Sequence, residues 1–268
     1  MRIKVLAFAA SLLLISSSSV GRSQTPSAAP SAPQRDPQAV DILKQCLNLA
    51  GGVSTIGAVV DYTASGAITY HWAGKDVEGS VTLLGRRLNQ FRMDTVLPSG
   101  VHSWVTSNGK AREKAEDGTV SEIVGFSTLS PAGLINPYLQ LAEAFRGRSL
   151  SVEYKGQTSI DGNPAYDIQI KRTVTRSDGT VEPIEIGALD VFIDASSSRI
   201  LLTRDMARPS RNSAEGPPHE LRYSDYRSIN SVLVPFSITE TIGGQETWRI
   251  QLDTVGFNSG LSDSNFTP

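Results

Sequence analysis

The sequence predicts a mainly β, α+β domain built on an antiparallel sheet. Three observations predict it. Several stretches alternate apolar and polar residues with a period of two, dipeptides typical of tight turns separate them, and only two stretches have the helical period. Consecutive hairpins imply an antiparallel meander, because parallel strands need long crossover connections. We expect roughly ten to twelve strands and about two helices.

The alternating stretches give each predicted strand two unlike faces. Their apolar positions are Tyr166, Ile168 and Ile170, then Val232, Val234, Phe236 and Ile238, then Trp248, Ile250 and Leu252. Residues that tolerate positive φ predict the turns. These turns are Asn108-Gly109, Asp117-Gly118, Asp161-Gly162, Asp178-Gly179 and Gly243-Gly244. Two polar stretches, 173–185 and 208–218, are predicted to be long loops on the rim of the sheet.

The first predicted helix has Asp36 as its N-cap and Pro37 at its first position, and it ends at Gly51-Gly52. Its apolar stripe consists of Val40, Ile42, Leu43, Cys46, Leu47 and Ala50.

The second predicted helix starts at Ser130-Pro131 and ends at Gly147, although Pro137 either kinks it or delays its start. Its stripe consists of Leu134, Tyr138, Leu141 and Phe145.

The N-terminus has the pattern of a secretory signal peptide. Arg2 and Lys4 precede an apolar run over 5–15, and cleavage is expected after Gly21 or Ser23. The apolar run is too short to span a bilayer. We therefore expect an exported protein, periplasmic in a bacterial host, with no transmembrane segment in the mature chain.

The chain divides into three predicted parts. Residues 1–23 are the signal peptide, and residues 24–37 form a flexible linker rich in Pro, Ala and Ser that cannot bury enough apolar surface to order itself. Residues 38–268 are expected to form one domain. The single cysteine, Cys46, cannot form an internal disulfide, and we interpret it as a small buried hydrophobe.

The charge balance does not favour nucleic acid as a partner. The chain has 25 Lys and Arg against 27 Asp and Glu, and removal of Arg2, Lys4 and Arg22 leaves 22 against 27, a net charge of −5. No basic patch stands out in the sequence.

Motifs of catalysis are missing from the sequence. The three histidines, His71, His102 and His219, lie far apart and outside any metal-binding spacing, and there is no nucleophile elbow, zinc-protease motif or phosphate loop. We therefore expect no enzyme activity, metal or cofactor. Acidic residues are frequent, but no pair is singled out, so a secreted hydrolase with an unrecognised site stays open as an alternative.

Three stretches together resemble the LolA-like family of periplasmic lipoprotein carriers and outer-membrane lipoprotein-sorting proteins. Residues 85–94 (GRRLNQFRMD) are similar to the early hairpin of that family, where a basic residue precedes an aromatic-Arg-x-Asp strand. Residues 107–110 (SNGK) are similar to the turn that follows, and the third stretch is the C-terminal run within 225–268. With the first helix, the resemblance covers about residues 38–268.

The resemblance implies an incomplete antiparallel barrel, or half-barrel, with helices over its concave side and the acyl chains of a client between sheet and helices. The residue patterns agree in one respect. A curved sheet with an apolar face and only two helices has more apolar surface than those helices cover, so a cavity there is the expected ligand site.

The candidate ligand contacts are the large apolar side chains of the strands and of the second helix. They are Trp72, Phe91, Trp104, Phe126, Tyr138, Leu141, Phe145, Phe236 and Trp248. Arg87 or Arg92 is the candidate contact to an anionic head group at the mouth. The alternative for each apolar residue is simple core packing, and for each arginine a solvated strand face.

The function that follows is a carrier for a lipid or an acylated lipoprotein, a role compatible with membrane-associated partner proteins. A sensor or interaction module on the same fold is the second hypothesis. The sequence identifies neither the client, nor the partner proteins, nor the oligomeric state.

Overall fold

The structure is a computed structural model. It describes residues 33–72, 74–107, 109–123, 133–147, 150–175, 177, 181–183, 188–207 and 216–268.

Three helices are present in these residues. They are α1 (Pro37–Leu49), α2 (Val53–Gly57) and α3 (Pro137–Arg146), and a 3-10 turn follows at Asp263–Phe266. The first helix confirms the prediction, because Asp36 Oδ1 accepts hydrogen bonds from the backbone N–H groups of Gln38 at 2.8 Å and Ala39 at 3.4 Å. The five-residue α2 was not predicted. No helix in the described part of the chain is long and apolar enough to cross a bilayer.

The fold is mainly β, as predicted. The strands are β1 (Asp61–Trp72), β2 (Lys75–Arg86), β3 (Gln90–Leu97), β4 (Gly100–Ser107), β5 (Lys110–Lys114), β6 (Val120–Glu122), β7 (Leu150–Ile160), β8 (Asn163–Thr175), β9 (Val181–Pro183), β10 (Leu189–Asp194), β11 (Ile200–Met206), β12 (Pro218–Ile229), β13 (Val232–Ile242) and β14 (Gln245–Phe257).

The strands form one open antiparallel sheet. Their order is β6-β5-β4-β3-β2-β1-β14-β13-β12-β11-β10-β8-β7, and β9 pairs with β8. Two meanders, β1–β6 and β7–β14, are therefore joined where β1 pairs with β14. The two edge strands, β6 and β7, do not pair with each other, so the sheet is open and does not close into a barrel.

Irregularities in the ladders help to curve the sheet. Register shifts occur at Ser65/Gly66 between β1 and β14, and at Tyr154/Gly156 between β7 and β8. Two more lie in β10 and β13. A bulge bends its strand and increases the local twist. The sheet can therefore curl around the helices that cover one of its faces, which we call the inner face.

The core lies between this inner face and the helices. Buried side chains of α1 and α3, such as Leu43, Leu47 and Leu141, belong to one apolar cluster with residues from both meanders, such as Leu83 and Ile238. The cluster also contains Cys46, which is fully buried as expected, and burial raises the pKa of its thiol. The helices thus supply the second layer of a two-layer domain.

The end of α1 is fixed against the β12–β13 turn. Gly51 has a φ of 112°, and a Cβ on it would lie 2.1 Å from the backbone oxygen of Ser231. Only glycine fits both the dihedral angle and the contact. The predicted stop at Gly51 is therefore correct, and its reason is packing as well as backbone conformation.

Of the two alternatives for the second helix, the structure shows the delayed start at Pro137. The helix α3 begins at Pro137, with Asn136 Oδ1 accepting a hydrogen bond from the backbone N–H of Tyr138 at 3.1 Å. Proline suits the first helical position because its missing N–H would have no partner there. Leu134 lies in the buried turn before the helix. Ser130 and Pro131 lie outside the described residues.

The first of the two predicted rim loops is in part a hairpin. β8 extends to Thr175, and Val181–Pro183 pairs with it as β9. Residues 208–215 of the second predicted loop lie outside the described residues.

The last residues of the predicted linker are bound to the domain. Arg35 forms a parallel bridge with Val152 of β7, and its guanidinium donates to the backbone oxygens of Ala144 at 3.1 Å, Phe145 at 2.9 Å and Gly147 at 3.0 Å. A cation on these free carbonyls stabilises the C-terminal end of α3. The chain before α1 therefore ties α3 to the edge of the sheet.

The C-terminal tail is held on the outer face of β2 and β3. The buried Asp61 carboxylate accepts from the backbone N–H groups of Ser259 at 2.6 Å, Gly260 at 3.1 Å and Leu261 at 3.2 Å. Arg86 bonds the carboxylate of Asp263 and lies over the ring of Phe266. The tail therefore covers part of the outer face of β2 and β3.

Candidate functional site

A cavity of about 460 Å³ lies between α2, α3 and the β2–β3 turn. Its floor is apolar and consists of Val59, Leu88, Leu139 and Ala142. Val59 and Ala142 are also members of the buried core cluster, and Leu139 packs against it. The volume falls within the range of ligand sites in proteins. One wall of the cavity is therefore shared with the apolar interior.

The rim of the cavity is charged. Three exposed arginines surround it: Arg87 from the β2–β3 turn, Arg146 from the last turn of α3, and Arg172 from β8. Glu143 is the only acidic residue among the lining residues in the described part of the chain. Because β2 and β8 lie far apart in the strand order, their meeting here shows how strongly the sheet curls.

Five of the nine predicted apolar contacts are core residues. Phe91, Tyr138, Leu141, Phe236 and Trp248 are each at most 6% exposed and belong to the cluster between the inner face and the helices. The structure therefore brings them together on the predicted side of the sheet. None of them lines the 460 Å³ cavity.

The other four apolar candidates differ in position. Trp104 and Phe145 are half-buried and pack against the same cluster, and the Trp104 ring meets Phe91 edge-on with centroids 5.8 Å apart. Trp72 ends β1 and pairs with Lys75, but its side chain lies outside the described part. Phe126 lies outside the described residues altogether.

The two candidate head-group arginines have different surroundings. Arg87 stands on the rim of the cavity. Arg92 lies on the outer face of β3, where it pairs with Asp94 at 2.8 Å and donates to the backbone oxygen of Thr267 at 2.9 Å. Arg92 therefore holds the C-terminal tail.

Sequence reasoning missed most of the cavity lining. Leu139, Ala142 and Arg146 flank the predicted stripe of α3, so the helical period could have placed them beside it. No sequence signal pointed to Arg172 or Gly57, because their positions depend on the curl of the sheet and on the unpredicted α2. The prediction instead selected large aromatic residues, and most of those in the described part of the chain lie in the core.

The histidines are engaged with carboxylates rather than with each other. His71 lies 2.8 Å from Asp76 and 2.9 Å from Glu246, and His102 Nε2 lies 2.6 Å from Glu113. No group of three or more metal-binding side chains could hold a metal ion among the described residues.

His219 is buried between two carboxylates. Its Nδ1 lies 2.7 Å from Asp205 Oδ1, and its Nε2 lies 2.9 Å from Glu240 Oε1. Burial alone lowers the pKa of His219, but hydrogen bonds and charges from the two carboxylates outweigh it and raise the pKa to about 9. At neutral pH the imidazolium therefore joins β11, β12 and β13.

The fold is that of LolA-like lipoprotein-sorting proteins. The chain is similar to a putative outer-membrane lipoprotein-sorting protein domain from Vibrio parahaemolyticus, with a TM-score of 0.52 and 11% identity over 85% of this chain and 96% of that one. It is similar to a LolA superfamily protein from Nitrosomonas europaea, with a TM-score of 0.53 and 12% identity over 84% of this chain and 97% of that one. A DUF1329 family protein from Desulfovibrio piger gives a TM-score of 0.50 and 13% identity over 84% and 97%.

No protein-family model and no curated protein matches the chain in sequence. At identities of 11% to 13%, the likeness establishes the fold and leaves the ligand to be argued from the residues of this chain.

Proposed function

We propose that this protein is an exported carrier that binds acylated clients, lipids or lipoproteins, between its curved sheet and its helices. The cavity carries the proposal. Its floor of Val59, Leu88, Leu139 and Ala142 is apolar, and two of these residues belong to the core that separates the helices from the sheet. An acyl chain bound on this floor reaches the interior by displacing side chains of α3.

The driving force is the removal of methylene groups from water. Each buried CH₂ contributes about 0.8 kcal/mol, or about fourfold in affinity. No catalytic group is needed for such binding, and the similarity in fold to lipoprotein-sorting proteins supports a carrier rather than an enzyme. The signal-peptide pattern of residues 1–23 supports a periplasmic location.

The test is the dependence of affinity on chain length. The exported protein, stripped of lipid, is titrated with octanoate, laurate and palmitate. We expect the affinity to rise with acyl-chain length until the acyl chain is longer than the site. Leu139→Gln, which places an amide on the cavity floor, should weaken palmitate binding about tenfold or more. The matched control is Leu201→Gln, because Leu201 is also half-buried but packs against a separate small cluster away from the cavity. Equal affinities for the three acids would refute the proposal.

A second experiment separates a carrier from a sensor on the same fold. If the protein is a carrier, its depletion should leave lipoproteins in the wrong membrane. If it is a sensor, lipoproteins should stay correctly placed while the response to their acylation is lost.

A further inference from the structure

The cavity rim concentrates positive charge in a chain whose formal net charge is −2. Arg87, Arg146 and Arg172 come from a turn, a helix and a strand, yet they line one mouth together with a single carboxylate, Glu143. Three guanidinium groups against one carboxylate leave a local excess of two positive charges. A concentration of this kind attracts anions to the mouth.

The rim arginines lack an acidic partner, unlike six of the nine other arginines in the described part of the chain. Among the described residues, none of the three forms an ion pair, whereas six other arginines do. Those six are Arg86, Arg92, Arg204, Arg222, Arg227 and Arg249. Arg146 donates only to a neutral group, the backbone oxygen of Val53, at 2.6 Å. The bond orients its guanidinium and leaves the charge uncompensated.

Two backbone features hold these side chains at the mouth. Arg87 has a φ of 52°, a left-handed conformation that strains any residue with a Cβ and suits glycine. Its N–H is fixed to the backbone oxygen of Val60 at 2.9 Å. Gly57 lies under Arg146, where a Cβ would stand 1.6 Å from Nη2 of that guanidinium. The sequence thus has Arg87 at a position that favours glycine, and Gly57 leaves room for the guanidinium of Arg146. Both features place positive charge at the rim.

We propose that Arg87, Arg146 and Arg172 bind the carboxylate or phosphate head group of an anionic amphiphile whose acyl chain lies on the cavity floor. The proposal rests on the function proposed above and adds the chemical class of the client's head group. Guanidinium forks match the paired oxygens of carboxylates and phosphates, and such charge-assisted bonds are the stronger hydrogen bonds in proteins. The apolar floor lines the same cavity as the three arginines, so an acyl chain attached to that head group can lie on it.

The test compares ligands that have the same acyl chain and different head groups. Palmitate and its neutral glycerol ester, monopalmitin, are titrated against the exported chain, with inorganic phosphate as a third ligand. We expect palmitate to bind at least tenfold more tightly than monopalmitin at low salt, and this preference to shrink as salt is added. Inorganic phosphate should bind much more weakly than either. If phosphate bound as tightly as palmitate, the rim would be a site for the free anion and the proposal would fall.

The variants remove the charges without disturbing the fold. Arg87→Gly relieves the left-handed conformation, so the variant should be at least as stable as the wild type, and Arg172→Gln changes an exposed side chain. Together they should lower palmitate affinity about tenfold or more and lower monopalmitin affinity much less. Arg227→Gln with Arg249→Gln is the matched control, because it also removes two charges from exposed arginines, and neither lines the cavity.

The outcomes also separate this inference from the function beneath it. If palmitate and monopalmitin bind with equal affinity, and the double variant changes neither, the head-group site is refuted while acyl binding stands. If neither amphiphile binds the wild type, the carrier function itself is refuted.

Discussion

Replacement of His219 with alanine should lower the free energy of unfolding by about 3–5 kcal/mol at neutral pH. The side chain of His219 is 8% exposed, and that of its partner Asp205 is fully buried. Without the imidazolium, the buried carboxylate of Asp205 and the half-buried carboxylate of Glu240 would lose the cation that they share and would repel each other. Urea unfolding of the variant and the wild type at pH 7 measures the difference.

The pH dependence of stability should identify the charge on His219 as the cause. Because the pKa is raised to about 9 in the folded state, the stabilisation is complete below the unfolded-state value near 6.5 and is lost as the pH rises through 9. The wild type should therefore lose stability between pH 6.5 and 9, and the alanine variant should lack this loss.

The matched control is His102→Ala. His102 Nε2 lies 2.6 Å from Glu113 Oε1, and the two side chains are 23% and 42% exposed, so the substitution should cost no more than about 1 kcal/mol. Equal effects of the two substitutions would contradict the account of the His219 cluster.

Replacement of Tyr138 with alanine should cost about 3–5 kcal/mol of stability and at the same time improve acyl binding. Tyr138 is the first large side chain of α3, fully buried, and its ring lies 6.0 Å from that of Tyr226 on the inner face. Its removal leaves a void between the helix and the sheet, next to Leu139 and Ala142 of the cavity floor. A hydrocarbon chain can occupy that void.

Palmitate should then restore part of the lost stability. A ligand at 100 times its dissociation constant adds about 2.7 kcal/mol, so urea unfolding with and without palmitate measures the gain. The gain at a given palmitate concentration should be larger for Tyr138→Ala than for the wild type. Tyr138→Phe keeps the ring volume and serves as the control. If palmitate stabilises the alanine variant no more than the phenylalanine variant, the chain does not enter the interior beside α3.

The general fold could be predicted because its signals are local. Period-two alternation, turn dipeptides and the cap at Asp36 each depend on neighbouring residues, and the structure confirms them in the alternating strands, at Gly162 and Gly243 with their positive φ, and in α1. The start of α3 could be predicted only as one of two positions, because both Pro131 and Pro137 suit a first helical position, and the structure has Pro137 there.

The candidate site could be predicted only in part because it depends on long-range geometry. Pairing of β1 with β14 and the curl that brings Arg172 near Arg87 join residues far apart in the chain, and no local pattern encodes either contact. Large aromatic residues indicate apolar surface, but they fill the core here, as Phe91 and Phe236 do. The residues that remain open at the mouth are smaller or charged.

The proposed function requires a hydrocarbon chain to lie between the inner face of the sheet and the helices. Trp104 is the reporter, because it is half-buried on that face beside Phe91, and Trp72→Phe with Trp248→Phe leaves it as the sole tryptophan. A fatty acid brominated in mid-chain should quench Trp104 emission as it binds, while its unbrominated counterpart should not. If the brominated acid displaces palmitate yet leaves Trp104 emission unchanged, the acyl chain lies elsewhere and the proposed binding between sheet and helices is refuted.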